Sequence, residues 1–445
     1  MKYNMKNMKL STQPYKGARD FYPEDKRLQK QIFNTMKTVV EKFGYEEYDA
    51  PILESIELYK AKSGEEIVNE QTYTFTDRGG REVVIRPEMT PTVSRMVAAR
   101  RQELGYPLRW YSIPNLWRYE RPQKGRLREH WQLNVDIFGV EELTAEHELI
   151  ELCDSMMKQF GASSSMYQIH LNNRGLMDYI MSKYLELNSK QSYKLSKIID
   201  RMNKISASQL KDEVTDLLEL KQKQQGVDKK IFDLLGVKEL DDLPEEIKNS
   251  KPAQEIKTLI EMLDNSNITN VVFDIGLMRG FDYYTGIVFE MFDTDPENNR
   301  SMMGGGRYNG LVGLFGVEPV PTVGFGWGDV TLANFLESHG LMSQPKSETD
   351  IYLILVGDVY NQSQKLIKSL REEGLRVSVD ATDRKISTKI KSALKKDIRY
   401  AMFIGKDELN ENIYKFKDLI TENEQSLSPE RIISTILDER KDKLA

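Results

Sequence analysis

The chain has 445 residues, more than one ordinary hydrophobic core accommodates, so two or three domains are expected. Hydrophobic residues at 39% and charged residues at 30% exclude a disordered chain, and no apolar run approaches the roughly 18 residues of a membrane helix. The net charge of −6 excludes a generally basic surface, so any nucleic-acid contact has to come from local patches. The one cysteine, Cys153, rules out an internal disulfide, and the four histidines (130, 147, 170, 339) lack ligand spacing, so no structural metal is expected. The polar, basic start reads as a loose terminus without a signal-peptide core, and a cytoplasmic protein is the expectation.

In chain order, Leu28, Ile32, Met36, Val39 and Val40 recur at helical spacing and predict an amphipathic helix. A turn at Gly44 leads into a strand around Pro51, an edge position because proline cannot donate to a ladder. Strand character follows over 82–89, 108–119 and 129–140. In the last of these Leu133, Val135 and Ile137 alternate with Gln132, Asn134 and Asp136. A helix is predicted from Ala145 to Phe160. From about Leu187 to Leu263 charged residues are dense and Leu and Ile recur every three or four positions, the texture of a helical insertion. Strands return at 271–275 and 284–292, then a Gly-rich loop at Gly304, a strand over 322–327 and a helix over 330–337. A linker is predicted near Ser343. Beyond it strands at 350–356, 376–380 and 400–404 alternate with helices at 362–373 and 385–396, which predicts a small α/β domain with a largely parallel sheet.

Two segments carry chemistry. The stretch from Trp117 to Gln132 sets Arg118, Arg121, Lys124, Arg126 and Arg128 on both arms of a hairpin whose turn holds Pro122 and Gly125. Guanidinium forks bind phosphate oxygens bidentately and stay charged at any working pH, so the hairpin suits a polyphosphate; a solvated basic hairpin is the plain alternative. The polar row Gln132, Asn134, Asp136 means nothing on an exposed face and marks substrate contacts on a pocket floor. The second segment, Arg279-Gly-Phe-Asp-Tyr-Tyr-Thr-Gly286, joins permissive backbone to polar-tipped rings, which fits a ligand site or a hairpin turn with packed tyrosines.

These segments resemble the class II aminoacyl-tRNA synthetases, and among them the histidine-specific family. Lys16-Gly-Ala-Arg-Asp-Phe-Tyr-Pro23 is similar to the family's opening signature, and the strand around Pro51 to the dimer-forming first motif. Arg118-Tyr-Glu-Arg-Pro-Gln-Lys-Gly-Arg-Leu-Arg-Glu129 resembles the second motif, Arg279–Glu290 the histidine signature, and Gly305-Gly-Arg-Tyr-Asn-Gly-Leu-Val312 the loop that follows it. The resemblance runs from Lys16 to about Leu437. It implies an α+β fold: a class II antiparallel-sheet catalytic core (1–186 and 264–342) interrupted by a helical insertion (187–263), plus a C-terminal α/β anticodon-binding domain (349–445).

It also implies roles. Arg118 and Arg279 flank the α-phosphate of ATP, which arrives with Mg²⁺, while Glu120 and Arg126 contact the adenine and outer phosphates. Glu88, Met89, Thr90 and Gln132 surround the histidine α-amino group, and Asp136 and Tyr284, with Tyr283 nearby, pair the imidazole nitrogens. A site that pairs both ring nitrogens rejects apolar rivals strongly, so no editing domain is implied. In the last domain, residues 384–399 carry seven basic residues in sixteen, and Arg384, Lys385 and Lys389 are implied tRNA contacts. The partners implied are histidine, ATP, tRNA(His) and a second copy of the chain, with no membrane.

One motif departs from the family. The third usually ends in Gly-x-Glu-Arg, with the arginine against ATP; here Thr331 stands at that place, so either another cation serves or catalysis is weakened. A non-catalytic regulatory relative of the family, acting on the first enzyme of histidine biosynthesis, would suit the loss. That relative lacks the anticodon-binding domain and usually loses the second-motif and histidine-signature residues, all kept here. A stress-sensing pseudo-synthetase module is the third reading, but it normally comes fused to a kinase domain that this chain lacks.

Overall fold

A computed structural model describes residues 10–60, 71–202, 205–278, 283–298 and 300–442. The chain divides into two compact units, one ending at Met342 and the other formed by Phe21–Gln31 with the residues from Ser343 onward. Among the described residues no helix is long and apolar enough to cross a membrane.

The described residues of the first unit hold twelve strands: β1 (Glu46–Glu47), β2 (Leu53–Ser55), β3 (Tyr73–Thr76), β4 (Glu82–Ile85), β5 (Leu108–Ser112), β6 (Asn115–Trp117), β7 (Glu129–Phe138), β8 (Tyr167–Asn173), β9 (Val271–Phe273), β10 (Ile287–Asp293), β11 (Ser301–Arg307) and β12 (Thr322–Gly328). Its main sheet runs β1-β5-β7-β12-β11-β10-β8-β9, and β6 also pairs with β7. The six strands from β5 to β8 in that order are antiparallel throughout, with a parallel strand added at each edge. This is the class II core that the resemblance implies. Strands β2, β4 and β3 form a separate antiparallel sheet.

The sequence of β12, Thr-Val-Gly-Phe-Gly-Trp-Gly, gives the sheet two unlike faces. Val323, Phe325 and Trp327 stand opposite Ile137, Val135 and Leu133 of β7, making an apolar face whose rings and branches are buried. Burial of each such side chain contributes about 1.5–3 kcal/mol. Gly324 and Gly326 stand opposite Asp136 and Asn134 on the other face. Across the next ladder they meet Gly306 and Gly304 of β11. Directly opposed residues share a face, so four glycines and the polar row of β7 make one floor.

Two local predictions are corrected. The predicted strand 108–119 is broken at Ile113-Pro114, where proline leaves the ladder without a donor, into β5 and β6. The predicted Gly-rich loop is strand up to Arg307; only Tyr308 to Gly310 leave the sheet.

The described elements between 187 and 263 are helical, including Ser189–Asp200, Ala207–Leu217, Val227–Leu235 and Lys251–Asn265. The first begins at a reciprocal cap, Asn188 with Gln191, which satisfies two otherwise unpaired N–H groups.

In the second unit β13 (Ile351–Leu355), β14 (Val377–Asp380), β15 (Tyr400–Ile404), β16 (Tyr414–Asp418) and β17 (Glu424–Leu427) form a sheet of order β14-β13-β15-β16-β17. The first three strands are parallel, but β16 and β17 add antiparallel ladders, so the sheet is mixed rather than largely parallel. Its helices include Tyr360–Glu372, Ile386–Leu394, Lys406–Glu411 and Pro429–Asp442.

Candidate active site

A cavity of ≈ 70 Å³ opens on the glycine floor, lined by Glu88, Thr90, Arg118, Gln132, Asn134, Tyr283, Tyr284 and Tyr308 together with Gly304, Gly324, Phe325 and Gly326. Glycine leaves room for the side chains of β7. A Cβ on Gly324 would collide with Asp136 Oδ1 and lie 2.9 Å from Tyr308 Oη, and one on Gly326 would collide with the amide of Gln132.

The wall opposite comes from the end of β4. After Ile85 the chain turns through Pro87 into the helix Thr90–Ala99, which places Glu88 inside, 2% exposed, with Tyr283 Oη donating to its carboxylate at 3.4 Å. Met89 is fully buried and lies outside the cavity lining. Arg118, at the end of β6, donates from Nε to Pro87 O at 2.8 Å. This anchor fixes the guanidinium plane beside Glu88 and leaves both Nη groups for a ligand. Gln132 and Asn134 brace each other, Gln132 Nε2 donating to Asn134 Oδ1 at 2.8 Å.

Asp136 is buried beneath this cavity instead of lining it, and the hydroxyl of Tyr308 donates to its Oδ1. Burial pushes the Asp136 carboxyl up to about 7, against the opposing pull of the Tyr308 bond. Tyr308 packs against Tyr283 and Tyr284, with ring centroids 5.6 and 6.4 Å away. Neither Tyr308 nor Asn134 stood among the predicted site residues. Asn134 belonged to the alternating polar row, which was the signal for it; Tyr308 carried none, because its segment read as a loop.

The basic hairpin divides its labour. Arg126 pairs with Glu120, Nε to Oε2 at 2.6 Å. Arg128 is a strut: its Nε donates to Glu120 O at 3.0 Å and its guanidinium lies over the Tyr119 ring at 3.9 Å. The opening segment docks on the same arm, Gly17 O accepting from Arg128 N, while Arg19 pairs with Asp329 at 2.7 Å. Asp329 in turn accepts from Trp131 N at 2.9 Å, so the third-motif helix is tied to β7. Burial raises the Asp329 carboxyl above its ordinary range, and the Arg19 cation opposes the rise. Of the signature segment, Tyr283 and Tyr284 reach the cavity, whereas Arg279 lies outside the described residues.

The family model described as Histidyl-tRNA synthetase matches residues 17–328, and the one described as Anticodon binding domain matches residues 350–439. The chain belongs to the histidyl-tRNA synthetase family. It is 44% identical to the histidine--tRNA ligase of Leptospira biflexa serovar Patoc over 98% of this chain and 99% of that protein. The crystal structure of histidyl-tRNA synthetase from Nostoc sp. PCC 7120 shares its fold at TM-score 0.78 and 22% identity, over 97% of this chain and 100% of that one. An ATP phosphoribosyltransferase regulatory subunit/histidyl-tRNA synthetase from Bacillus halodurans C is similar at TM-score 0.73 and 22% identity, over 89% and 99%. These two structures, at 22% identity, show the fold; the function, histidine--tRNA ligase, is shown by the relative that is 44% identical over 98% of the chain.

In the anticodon-binding unit the predicted tRNA contacts separate. Lys385 is exposed at the start of the helix Ile386–Leu394. Arg384 pairs with Asp380 at 2.8 Å and remains half exposed. Lys389 is corrected to a structural residue: it is 3% exposed, and its Nζ donates to Leu355 O at 2.7 Å and Asp380 O at 3.3 Å, the carbonyls at two strand ends.

Replacing Asp136 by Asn tests the raised carboxyl. Its folded value, about 7, exceeds the unfolded 3.8, so stability is full below pH ~4 and is lost as pH rises through 7. Asp136→Asn keeps an acceptor for Tyr308 and removes that loss. Thermal melts at pH 8 should show the variant higher, at about 2–4 °C per kcal/mol relieved, with the gap narrowing as pH falls below 7 and closing near pH ~4.

Proposed function

We infer that the chain is a histidine--tRNA ligase, which activates histidine with ATP and transfers the histidyl group to tRNA(His). The observation that carries this is the meeting of Glu88, a buried carboxylate, with the anchored Arg118 over a floor cleared of side chains. A cavity with an acid on one wall and a fixed cation on the next suits an amino acid whose ammonium and carboxylate point in different directions.

Glu88, with Thr90 and Gln132, takes the α-amino group, and the buried Met89 shapes the wall behind them. Tyr284, Tyr283 and the Tyr308–Asp136 pair meet the imidazole. A histidine carboxylate oxygen attacks the α-phosphorus of ATP, the bond to the β-phosphate breaks and pyrophosphate leaves. Arg118, joined by Arg279 on the sequence resemblance, holds the negative charge that builds on the α-phosphate. Such preorganised charge is usually the largest catalytic term. Glu120 and Arg126 exchange their mutual ion pair for adenine and outer phosphates. Mg²⁺ enters as part of the ATP substrate. The terminal ribose of tRNA then attacks the adenylate carbonyl and AMP departs. Arg384 and Lys385 serve the anticodon arm. The half-exposed Leu53 and Phe75 on the small sheet, with Ile52 just before it, support a homodimer through the first-motif region.

Histidine-dependent ATP–pyrophosphate exchange tests the reading. Exchange is expected with histidine and with no other amino acid, followed by charging of tRNA(His). Histidine binding without exchange would assign the chain to the regulatory relatives instead.

A further inference from the structure

Thr331 occupies the place of the family's third-motif arginine, and its hydroxyl is engaged elsewhere: Oγ1 donates within 3.0 Å of Met302 O and 3.2 Å of Gly328 O. Its methyl faces the tip of the second-motif hairpin. There Gln123 and Arg126 close a tight turn through reciprocal backbone bonds of 3.0 and 2.9 Å, and Gly125 takes a left-handed φ of +76°. A Cβ on Gly125 would lie 3.7 Å from Thr331 Cγ2 and 3.1 Å from Arg300 Cδ. The side chain of Arg300 thus crosses the turn beside residue 331, from a different part of the chain.

The hairpin that carries Arg300 is built for position. Asp293, the last residue of β10, accepts from Asp295 N at 2.8 Å and from Asn298 Nδ2 at 2.9 Å, and its other contact is His339 Nε2 at 2.8 Å. Arg300 N then donates to Asn298 O at 2.8 Å, immediately before β11 begins. Arg300, Lys124, Gly125 and Thr331 border one cavity of ≈ 290 Å³. Of the two carboxylates on its lining, Asp293 is committed to His339 and to the N–H groups of its own loop, and Glu297 is exposed to solvent. Two cations and a left-handed glycine at the mouth of a cleft, next to Arg126, form a surface for a polyanion, with the fork of Arg300 the bidentate member.

We propose that Arg300 binds the outer phosphates of ATP in place of the missing third-motif arginine. The proposal rests on the ligase reading, and the measurements separate the two. In pyrophosphate exchange, Arg300→Ala raises KM for ATP and for pyrophosphate by about 10- to 100-fold, the range for losing a charge-assisted bond to phosphate, and leaves KM for histidine unchanged. Arg300→Lys recovers part of the loss. Adding Thr331→Arg to Arg300→Ala restores it, since the new guanidinium starts from the neighbouring position.

Unchanged KM values in Arg300→Ala overturn the proposal. So does a rise confined to ATP, which would place Arg300 on the purine. A rise that includes histidine and is not reversed by Thr331→Arg marks a loss of structure and also overturns it. If wild-type protein shows no exchange, the ligase reading falls. Equilibrium binding of ATP to wild type and Arg300→Ala, which needs no turnover, then decides for Arg300 by itself.

Discussion

Arg118→Ala lowers the rate of histidine-dependent pyrophosphate exchange by about 10²- to 10³-fold, the usual consequence of removing one preorganised donor from a charge-building transition state. Two features make the loss large. The Nε bond to Pro87 O fixes the guanidinium before substrate arrives, so no ordering cost falls on the reaction step. Glu88, the next residue along from Pro87, shares that anchor, so the cation is fixed relative to the carboxylate that takes the amino group. The effect should fall on kcat more than on KM for histidine, because charge on the α-phosphate grows only as the bond forms. Arg118→Lys keeps the charge but gives up the planar fork, and recovers only part of the rate. A loss of histidine affinity with kcat unchanged would show that Arg118 serves binding alone.

How far the site was legible depends on what each residue announces. The alternation of Leu133, Val135 and Ile137 with Gln132, Asn134 and Asp136 gave both faces of β7, and the structure uses both. Glycine hides strands, however. Residues 304–306 read as a loop because glycine disfavours strand in isolation, yet the neighbours of Gly305 and Gly306 need the space that glycine leaves. That error concealed Tyr308, the residue that closes over Asp136. Lys389 was misplaced for a different reason: a count of basic residues is blind to helix face. Lys389 and Ala393 are four apart on the inward stripe of their helix, while Lys385 flanks it in solvent. The β16–β17 pair was missed although Tyr414, Phe416 and Asp418 alternate with Lys415 and Lys417, a period-two signal five residues long. Arg300 was beyond reach of pattern reading altogether, since only the folded hairpin brings it to Gly125.

The largest loss of stability from a single change is expected at Arg307, which the sequence placed in a family motif without a role. Its guanidinium makes a two-point pair with Glu146, both bonds 2.6 Å, and donates to Val140 O and Glu142 O at 3.0 and 3.2 Å. Glu146 is wholly buried and Arg307 is 7% exposed. Arg307→Ala strands a buried carboxylate and two carbonyls, at about 3–5 kcal/mol. Urea unfolding followed by tryptophan fluorescence reads this cleanly, because all four tryptophans (110, 117, 131, 327) lie in the first unit. Replacing both partners, Arg307→Met with Glu146→Leu, should recover most of the loss, since a buried pair is worth little against well-packed apolar groups. A double variant no more stable than Arg307→Ala would show that the backbone carbonyls, rather than Glu146, are what Arg307 is there to hold. Activity separates the two further: Arg307 precedes Tyr308, so the single change also loosens the hydroxyl on Asp136, and KM for histidine should rise with the fall in stability.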